Sequence, residues 1–175
     1  MKAIVVIAVN TGMRRGEILS LKWDDIDFEH RIIHLLNTKS RKKREVPMNQ
    51  GVFRALNAVT RHSKSEYVFC KKDGSVIGDI KKSFSTALKK SGIKDFRFHD
   101  LRHTAASQLV MAGIDLNTVR ELLGHSSLAM TMRYAHLSPD HKKQAVDALS
   151  SRIDTVSTLA VPEEIHQEEA VLASV

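Results

Sequence analysis

The segment 99-HDLRHTAASQLVMAGIDLNTVRELLGHSS-127 contains two helix-like stretches, and each of them ends at a glycine. The first helical pattern covers His99 to Ala112 and is followed by Gly113, and the second covers Leu116 to Leu123 and is followed by Gly124. Glycine readily adopts the left-handed conformation that terminates many α-helices, so both positions are suited to stop a helix. The segment therefore predicts two successive helices in the second half of the chain.

The rest of the chain adds further helices and one hairpin. Helical spacing or helix-start signals also predict helices over four other ranges, namely Arg14 to Trp23, Gly51 to Arg61, Asp79 to Ser91, and Ser138 to Leu149 with Pro139 as the first helical residue. RIIHLL (31–36) and REVPM (44–48) have the composition of short strands, and the polar TKSRKK (38–43) between them predicts a hairpin with an exposed tip. The opening AIVVIAV (3–9) fits either a strand or a helix. The predicted fold class is α+β, mainly α-helical with a small antiparallel β-sheet.

The charge of the chain is unevenly distributed. The 175 residues carry a formal net charge of +7, but residues 151–175 contain one arginine and five acidic residues, which leaves +11 on residues 1–150. A basic body of this kind favours a polyanionic partner through counterion release. Charge alone does not separate DNA from RNA or from an acidic membrane, and a role in solubility stays open.

Cysteine content and hydropathy limit the cellular setting. Cys70 is the single cysteine, so an internal disulfide is impossible and nothing indicates an oxidising compartment. No stretch approaches the roughly 20 apolar residues of a membrane span. We therefore expect a cytoplasmic protein without a membrane partner.

Six widely spaced residues have side chains that together suit phosphodiester chemistry: Arg14, Lys39, His99, Arg102, His125 and Tyr134. Two arginine forks can bind the non-bridging oxygens of one phosphate while a phenolic oxygen attacks the phosphorus. A free phenol has a pKa of about 10, so nearby cations and a histidine that accepts the proton would both help the attack. Chemistry of this kind needs neither a metal nor a nucleotide cofactor.

The motifs around these residues resemble those of the tyrosine recombinase, or phage integrase, family. The resemblance rests on TGMRRGE (11–17), TKSRKKREVP (38–47), HDLRHTAAS (99–107), and LGHSS (123–127) followed by TMRYAH (131–136). It covers the chain from about Ile4 to Pro139 and implies the DNA breaking-rejoining catalytic fold. It also implies a site-specific recombinase that forms a 3′-phosphotyrosyl intermediate with a free 5′ hydroxyl, and then exchanges and rejoins strands without metal or ATP.

The same resemblance assigns roles to individual residues. Arg14 and Arg102 clamp the phosphate, Lys39 protonates the departing 5′ oxygen, His99 handles a proton or contacts the phosphate, His125 donates to a non-bridging oxygen, and Tyr134 is the nucleophile. Glu17 braces the site, and His103 has a structural or supporting role. The expected DNA-binding residues are Lys39, Arg41, Lys42, Lys43 and Arg44, although a charge run at a hairpin tip is usually only a solvated turn.

Three other functions remain open at this point. His99, Asp100 and His103 partly match the H-E-x-x-H pattern of zinc hydrolases, but aspartate is one methylene shorter than the glutamate and no further ligand pattern follows. Type IB topoisomerases use the same tyrosine chemistry without exchanging partners. A basic helical module could also hold DNA without cutting it.

The resemblance also predicts organisation and partners. Residues 1–150 are expected to form the catalytic domain, with its first helix truncated and the family's N-terminal core-binding domain absent. Residues 151–175 are expected to be an acidic tail that either docks onto a neighbouring protomer or is disordered. The expected partners are double-stranded DNA with attachment or recombination sites and other protomers of a synaptic tetramer, at the nucleoid of a bacterial or phage-infected cell.

Overall fold

The computed structural model describes residues 1–36, 43–138 and 146–149. The chain divides into two compact units, Met1–Pro139 and Asp140–Val175. Only residues 146–149 of the second unit are described, and they are helical. Residues 139–145 of the helix predicted from Ser138 to Leu149, and the acidic tail at 151–175, therefore lie outside the described residues.

The first unit contains seven α-helices, two 3₁₀ helices and three strands within its described part. The α-helices are α1 (Lys2–Thr11), α2 (Arg15–Leu19), α3 (Gln50–Asn57), α4 (Lys81–Lys90), α5 (Asp100–Met111), α6 (Leu116–Leu123) and α7 (Ala129–Met132). The 3₁₀ helices are Trp23–Asp25 and Ala135–Leu137, and the strands are β1 (Ile26–Asp27), β2 (Ile32–Leu36) and β3 (Lys43–Pro47). This composition confirms the predicted α+β class with a predominance of helix.

The three strands form one antiparallel sheet in the order β1-β2-β3. Ile33 pairs with Val46 of β3 and with Ile26 of β1, and both Ile33 and Val46 are buried. The predicted hairpin is confirmed, while the two-residue β1 was not predicted because so short a strand leaves no alternating pattern. The tip of the hairpin, residues 37–42, lies outside the described residues.

The apolar opening of the chain is a helix. Ile4, Ile7, Ala8 and Thr11 are its buried residues, a spacing of three to four that matches one helical face. α1 packs against α3 and α5. The helix ends at Gly12, which has a φ of 62°.

Several of the helices end close to a glycine. α4, α5 and α6 end shortly before Gly92, Gly113 and Gly124, and all three glycines have positive φ. The helix predicted from Arg14 to Trp23 is shorter, because α2 ends at Leu19. The carbonyl oxygen of Leu21 instead accepts the amide of Val68 at 2.9 Å, so the chain leaves the helix to pair with the segment after Tyr67.

The buried side chains form two clusters. The larger lies among α1, α2, α3 and the sheet, and its most enclosed members include Ile7, Ile18, Ile33, Val52 and Leu56. The smaller cluster is formed by Ala106, Val110, Val119, Leu123 and Tyr134. Burial of Tyr134 in the smaller cluster places its ring against α5 and α6. None of the described helices is both long enough and apolar enough to cross a membrane.

Candidate active site

A cleft of about 410 Å³ lies beside the smaller apolar cluster. Its lining consists of Arg14, His99, Arg102, His103, His125, Ala129, Met130, Arg133 and Tyr134. Within the described part of the chain, this lining contains three arginines, three histidines and no acidic residue. The cleft is therefore a positively charged surface suited to an anion.

Arg102 lies at the bottom of the cleft and is only 5% exposed. It projects from the first turn of α5, and its guanidinium donates from Nη1 to the carbonyl oxygen of Gly12 at 2.5 Å and from Nη2 to that of Leu123 at 2.7 Å. Burial, followed by the nearby charge of Arg14, lowers the pKa of Arg102 to about 10. Arg102 therefore stays charged at neutral pH, and each Nη retains a second N–H for a ligand.

Arg14 reaches the same cleft from the turn before α2. Its Nη1 donates to Glu17 Oε1 at 2.9 Å and its Nη2 donates to the carbonyl oxygen of Gly124 at 3.0 Å. The other oxygen of Glu17 accepts the backbone amide of Arg14 at 2.8 Å. Glu17 thus holds both the main chain and the side chain of Arg14.

His125 follows the left-handed Gly124 at the end of α6 and is 9% exposed. Its Nδ1 lies 2.8 Å from Thr131 Oγ1. Burial, followed by the charges of Arg102 and Arg14, lowers the pKa of His125 to about 4. His125 is therefore neutral at neutral pH, with a side chain fixed by α7.

Tyr134 Oη lies 2.5 Å from His103 Nδ1. Burial raises the pKa of Tyr134, and the positive charges of Arg133 and Arg102 oppose this effect. The phenol is therefore protonated at neutral pH, and the partner placed to take its proton is His103. The sequence analysis gave His103 only a structural or supporting role.

His99 also lines the cleft, but the histidine that contacts the Tyr134 hydroxyl is His103. His99 is the residue before α5, and its ring meets that of His103 edge to face with 4.8 Å between ring centroids. Burial, followed by the charges of His103 and Arg102, lowers the pKa of His99. The role expected of His99, in proton handling or phosphate contact, stays a prediction, while His103, one helical turn further along, is the histidine beside the Tyr134 hydroxyl. Among the described residues, no group of three or more His, Cys, Asp or Glu side chains could hold a metal ion.

The expected DNA-binding run is only partly described. Lys39, Arg41 and Lys42 lie outside the described residues, and Lys43 is exposed at the start of β3. Arg44 differs from this expectation, because its side chain is only 14% exposed and its guanidinium bonds to Glu17. Its fork is turned toward the protein instead of a solvated hairpin tip.

Two residues that line or support the cleft, Arg133 and Thr131, were not predicted from the sequence. Arg133 lies over the Tyr134 ring, with its guanidinium carbon 5.9 Å from the ring centroid, and it also lines the cleft. Thr131 is fully buried and bonds to His125. The position of Arg133 directly before Tyr134 was a usable signal, whereas nothing in the sequence links Thr131 to His125.

The chain is similar in sequence to known proteins. A sequence model of the phage integrase family matches residues 1–141. The integrase of Salmonella phage P22 is 35% identical over 182 residues, covering 96% of this chain and 46% of that protein. The chain thus spans about half the length of such curated relatives.

Two solved structures share the fold. The catalytic domain of bacteriophage HP1 integrase has a TM-score of 0.64 and 32% identity, with 90% of this chain and 84% of that chain covered. The XerH site-specific recombinase bound to its difH substrate in a pre-cleavage complex has a TM-score of 0.68 and 27% identity, with 85% of this chain and 45% of that chain covered. These similarities confirm the tyrosine recombinase catalytic fold expected from the motifs.

Proposed function

The chain belongs to the phage integrase family, and on that premise we propose that it is the catalytic domain of a site-specific DNA recombinase. The single observation that carries this proposal is the 2.5 Å contact between Tyr134 Oη and His103 Nδ1 in a cleft lined by arginines and histidines. A phenol with an adjacent proton acceptor and a surrounding anion site is equipped to attack a phosphodiester.

Arg14 and Arg102 bind the two non-bridging oxygens of the scissile phosphate. Both guanidiniums are oriented before substrate arrives, since carbonyl oxygens of Gly12, Leu123 and Gly124 accept hydrogen bonds from them. Donors fixed in advance stabilise the charge of the pentavalent transition state without reorganisation. Neutral His125 adds a further donor at Nε2 when the hydroxyl of Thr131 donates to its Nδ1.

Tyr134 is the nucleophile and His103 its base. As Oη forms a bond to phosphorus, its proton passes to His103 Nδ1, and the bond from phosphorus to the 5′ oxygen breaks. Lys39, outside the described residues, supplies a proton to that leaving oxygen. The products are a 3′-phosphotyrosyl ester and a 5′ hydroxyl, and attack by another 5′ hydroxyl reverses the step and rejoins a strand.

Double-stranded DNA is the proposed substrate, and residues 1–150 the proposed catalytic domain. The structural similarity to XerH in its complex with difH supports the substrate, and the coverage of the HP1 catalytic domain supports the domain assignment. Strand exchange requires further protomers, so we place the chain in a recombinase assembly on cytoplasmic DNA.

Covalent trapping tests this function. The chain in excess is incubated with large supercoiled and nicked plasmids and denatured, and protein–DNA adducts are counted with and without a chelator. The unmodified chain and Tyr67→Phe, the control at the other tyrosine, should form adducts that resist the chelator, and Tyr134→Phe should form none. An adduct with Tyr134→Phe would contradict the proposal.

Two other outcomes favour the alternatives. DNA binding by the unmodified chain without any adduct would indicate a binding module. Adducts accompanied only by plasmid relaxation, with no joining between two DNA molecules, would indicate activity like that of a type IB topoisomerase.

A further inference from the structure

Arg44 links three separate parts of the chain. It lies at the start of β3, and its Nη2 donates to Glu17 Oε2 at 2.8 Å while its Nη1 donates to the carbonyl oxygen of Leu122 at 2.6 Å. These partners lie 27 and 78 residues away in sequence. The side chain therefore ties the sheet to α2 and to the last turn of α6.

Both partners of Arg44 lead directly to residues of the cleft. The Glu17 oxygen that Arg44 contacts also accepts the backbone amide of Arg14, and the other Glu17 oxygen accepts the guanidinium of Arg14. Leu122 precedes by three residues His125, the neutral histidine of the cleft. Arg44 itself does not line the cleft.

The contact between Arg44 and the end of α6 is close. A Cβ atom placed on Gly124 would lie 2.9 to 3.0 Å from Cδ, Nε and Nη1 of Arg44, and Gly124 has a φ of +67°. The absence of a side chain at Gly124 therefore gives Arg44 its route to Leu122. Gly124 also offers its carbonyl oxygen to Arg14, so the two arginines bracket this turn.

We propose that Arg44 is a positioning residue that fixes Arg14, through Glu17, and the turn before His125 in one arrangement. The inference rests on the proposed function where it concerns catalysis. It departs from the expectation that Arg44 binds DNA, since a partly buried fork with two protein acceptors acts on the alignment of the phosphate site and not on affinity for the duplex.

The guanidinium fork is essential to this role. Arg44 bonds to two acceptors on different elements at once, which a planar group with several donors in fixed directions can do. Lysine keeps the charge but presents a single compact ammonium. Arg44→Lys therefore separates a positioning role from a purely electrostatic one.

Amide hydrogen exchange tests the coupling without reference to activity. The amides of Gly124 and His125, which donate to Glu121 and Arg120, report opening of the α6 end. We expect both to exchange at least about tenfold faster in Arg44→Gln and in Arg44→Lys, since two charge-assisted bonds are lost or reduced to one. Arg15→Gln, which removes an exposed ion pair to Asp79, is the control and should leave both rates unchanged.

Two results of the exchange experiment would overturn the proposal. In the first, the amides of Gly124 and His125 exchange in Arg44→Lys at the rate of the unmodified chain, which would show that only the positive charge of Arg44 matters. The other is an equal increase at all amides in both Arg44 variants, which would indicate a loss of global stability without specific coupling.

The catalytic consequence is read from covalent trapping. At saturating DNA, the rate of adduct formation should fall about tenfold in both Arg44 variants, with DNA affinity within about twofold of the unmodified chain. A loss of affinity with an unchanged saturating rate would overturn the proposal and assign Arg44 to DNA binding. If the unmodified chain forms no adduct, the proposed function fails, while the exchange experiment still decides whether Arg44 couples the two turns.

Discussion

The two sides of the cleft are held in different ways. On the cationic side, Arg102 and Arg14 are fixed by backbone carbonyls and a carboxylate from segments between 3 and 110 residues away. On the nucleophilic side, Tyr134 follows the four-residue helix α7, and its hydroxyl lies within hydrogen-bond distance of the imidazole of His103. The neighbouring Met130 and Met132 are about half exposed.

The two sides therefore differ in how much the fold depends on them. The arginine side chains complete hydrogen bonds that the fold needs, so the charged site is part of the structure before DNA arrives. The hydroxyl of Tyr134 can leave His103 for a phosphorus atom at a cost of about one hydrogen bond. We therefore expect changes on the cationic side to affect both stability and catalysis, and changes at the hydroxyl of Tyr134 to affect catalysis alone.

Arg102→Lys should produce the largest combined effect. Lysine cannot reach both Gly12 and Leu123, so a buried carbonyl loses its donor, which we expect to lower the free energy of unfolding by about 2 to 3 kcal/mol. Loss of a fixed phosphate donor should reduce adduct formation by about 100- to 1,000-fold. Urea unfolding measures the change in stability, and covalent trapping measures the change in adduct formation. Tyr134→Phe is the comparison variant, and we expect it to change the free energy of unfolding by about 1 kcal/mol or less. Equal losses of stability in the two variants would contradict the separation of the two sides.

Gly12→Ala should be next in size. Gly12 has a φ of +62°, and an added Cβ would overlap Cδ2 of Leu123, so strain and overpacking together should cost about 3 kcal/mol. Gly16→Ala is the matched control, because a Cβ there meets nothing within 4 Å and the residue lies in α2. Alanine is the better helix former, so this control should be neutral or slightly stabilising in thermal unfolding. A small effect at Gly12 would show that the carbonyl which orients Arg102 is not rigidly held.

His103→Gln should reduce adduct formation by about 10- to 100-fold without lowering DNA affinity. Glutamine can accept the hydrogen bond of Tyr134 but cannot take up its proton, and a positioned base contributes at least that much to a rate. His136→Gln, at an exposed position just beyond Tyr134, is the control. If His103→Gln formed adducts at a rate close to that of the unmodified chain, another residue would have to accept the proton, and His99 would be the next candidate.

The dependence of stability on pH should show the smallest effect. The pKa of His125 is lowered from 6.5 to about 4 in the folded chain, so below pH 6.5 the unfolded chain binds the proton more readily. Neutral His125 contributes fully to the free energy of unfolding above pH 6.5, and this contribution is lost as the pH falls toward 4. After allowance for solvent in the cleft, we expect the loss to be about 1 to 2 kcal/mol. His125→Gln should show a shallower decline in the free energy of unfolding than the unmodified chain over this interval. Parallel curves for the unmodified chain and His125→Gln would contradict the neutral, buried state of His125.

The sequence was most informative where structure depends on nearby residues. Glycines predicted the ends of α5 and α6, and two runs of strand-like composition on either side of a polar segment predicted the hairpin of β2 and β3. The type of α1 stayed open because a short apolar run fits a buried strand or helix equally well, and packing against α3 and α5 decides it.

Contacts between segments that are distant in sequence could not be predicted from local sequence patterns. The motifs identified His99 and His103 as candidates one helical turn apart, but which of them meets Tyr134 depends on how α5 packs against the segment after α7. Arg44 was expected at a solvated hairpin tip but is partly buried, because it bonds to Glu17 and Leu122, which no local pattern connects to it.

The most direct test of the account is to identify the bond between protein and DNA. Adducts formed by the unmodified chain are digested with protease and nuclease, and the peptide that carries a nucleotide is located by mass spectrometry, with the polarity of the linkage read from the remaining DNA end. The account predicts a nucleotide joined through its 3′ phosphate to Tyr134 and a free 5′ hydroxyl on the other strand end. A nucleotide on Tyr67 or on any residue other than Tyr134, or a linkage through a 5′ phosphate, would contradict it.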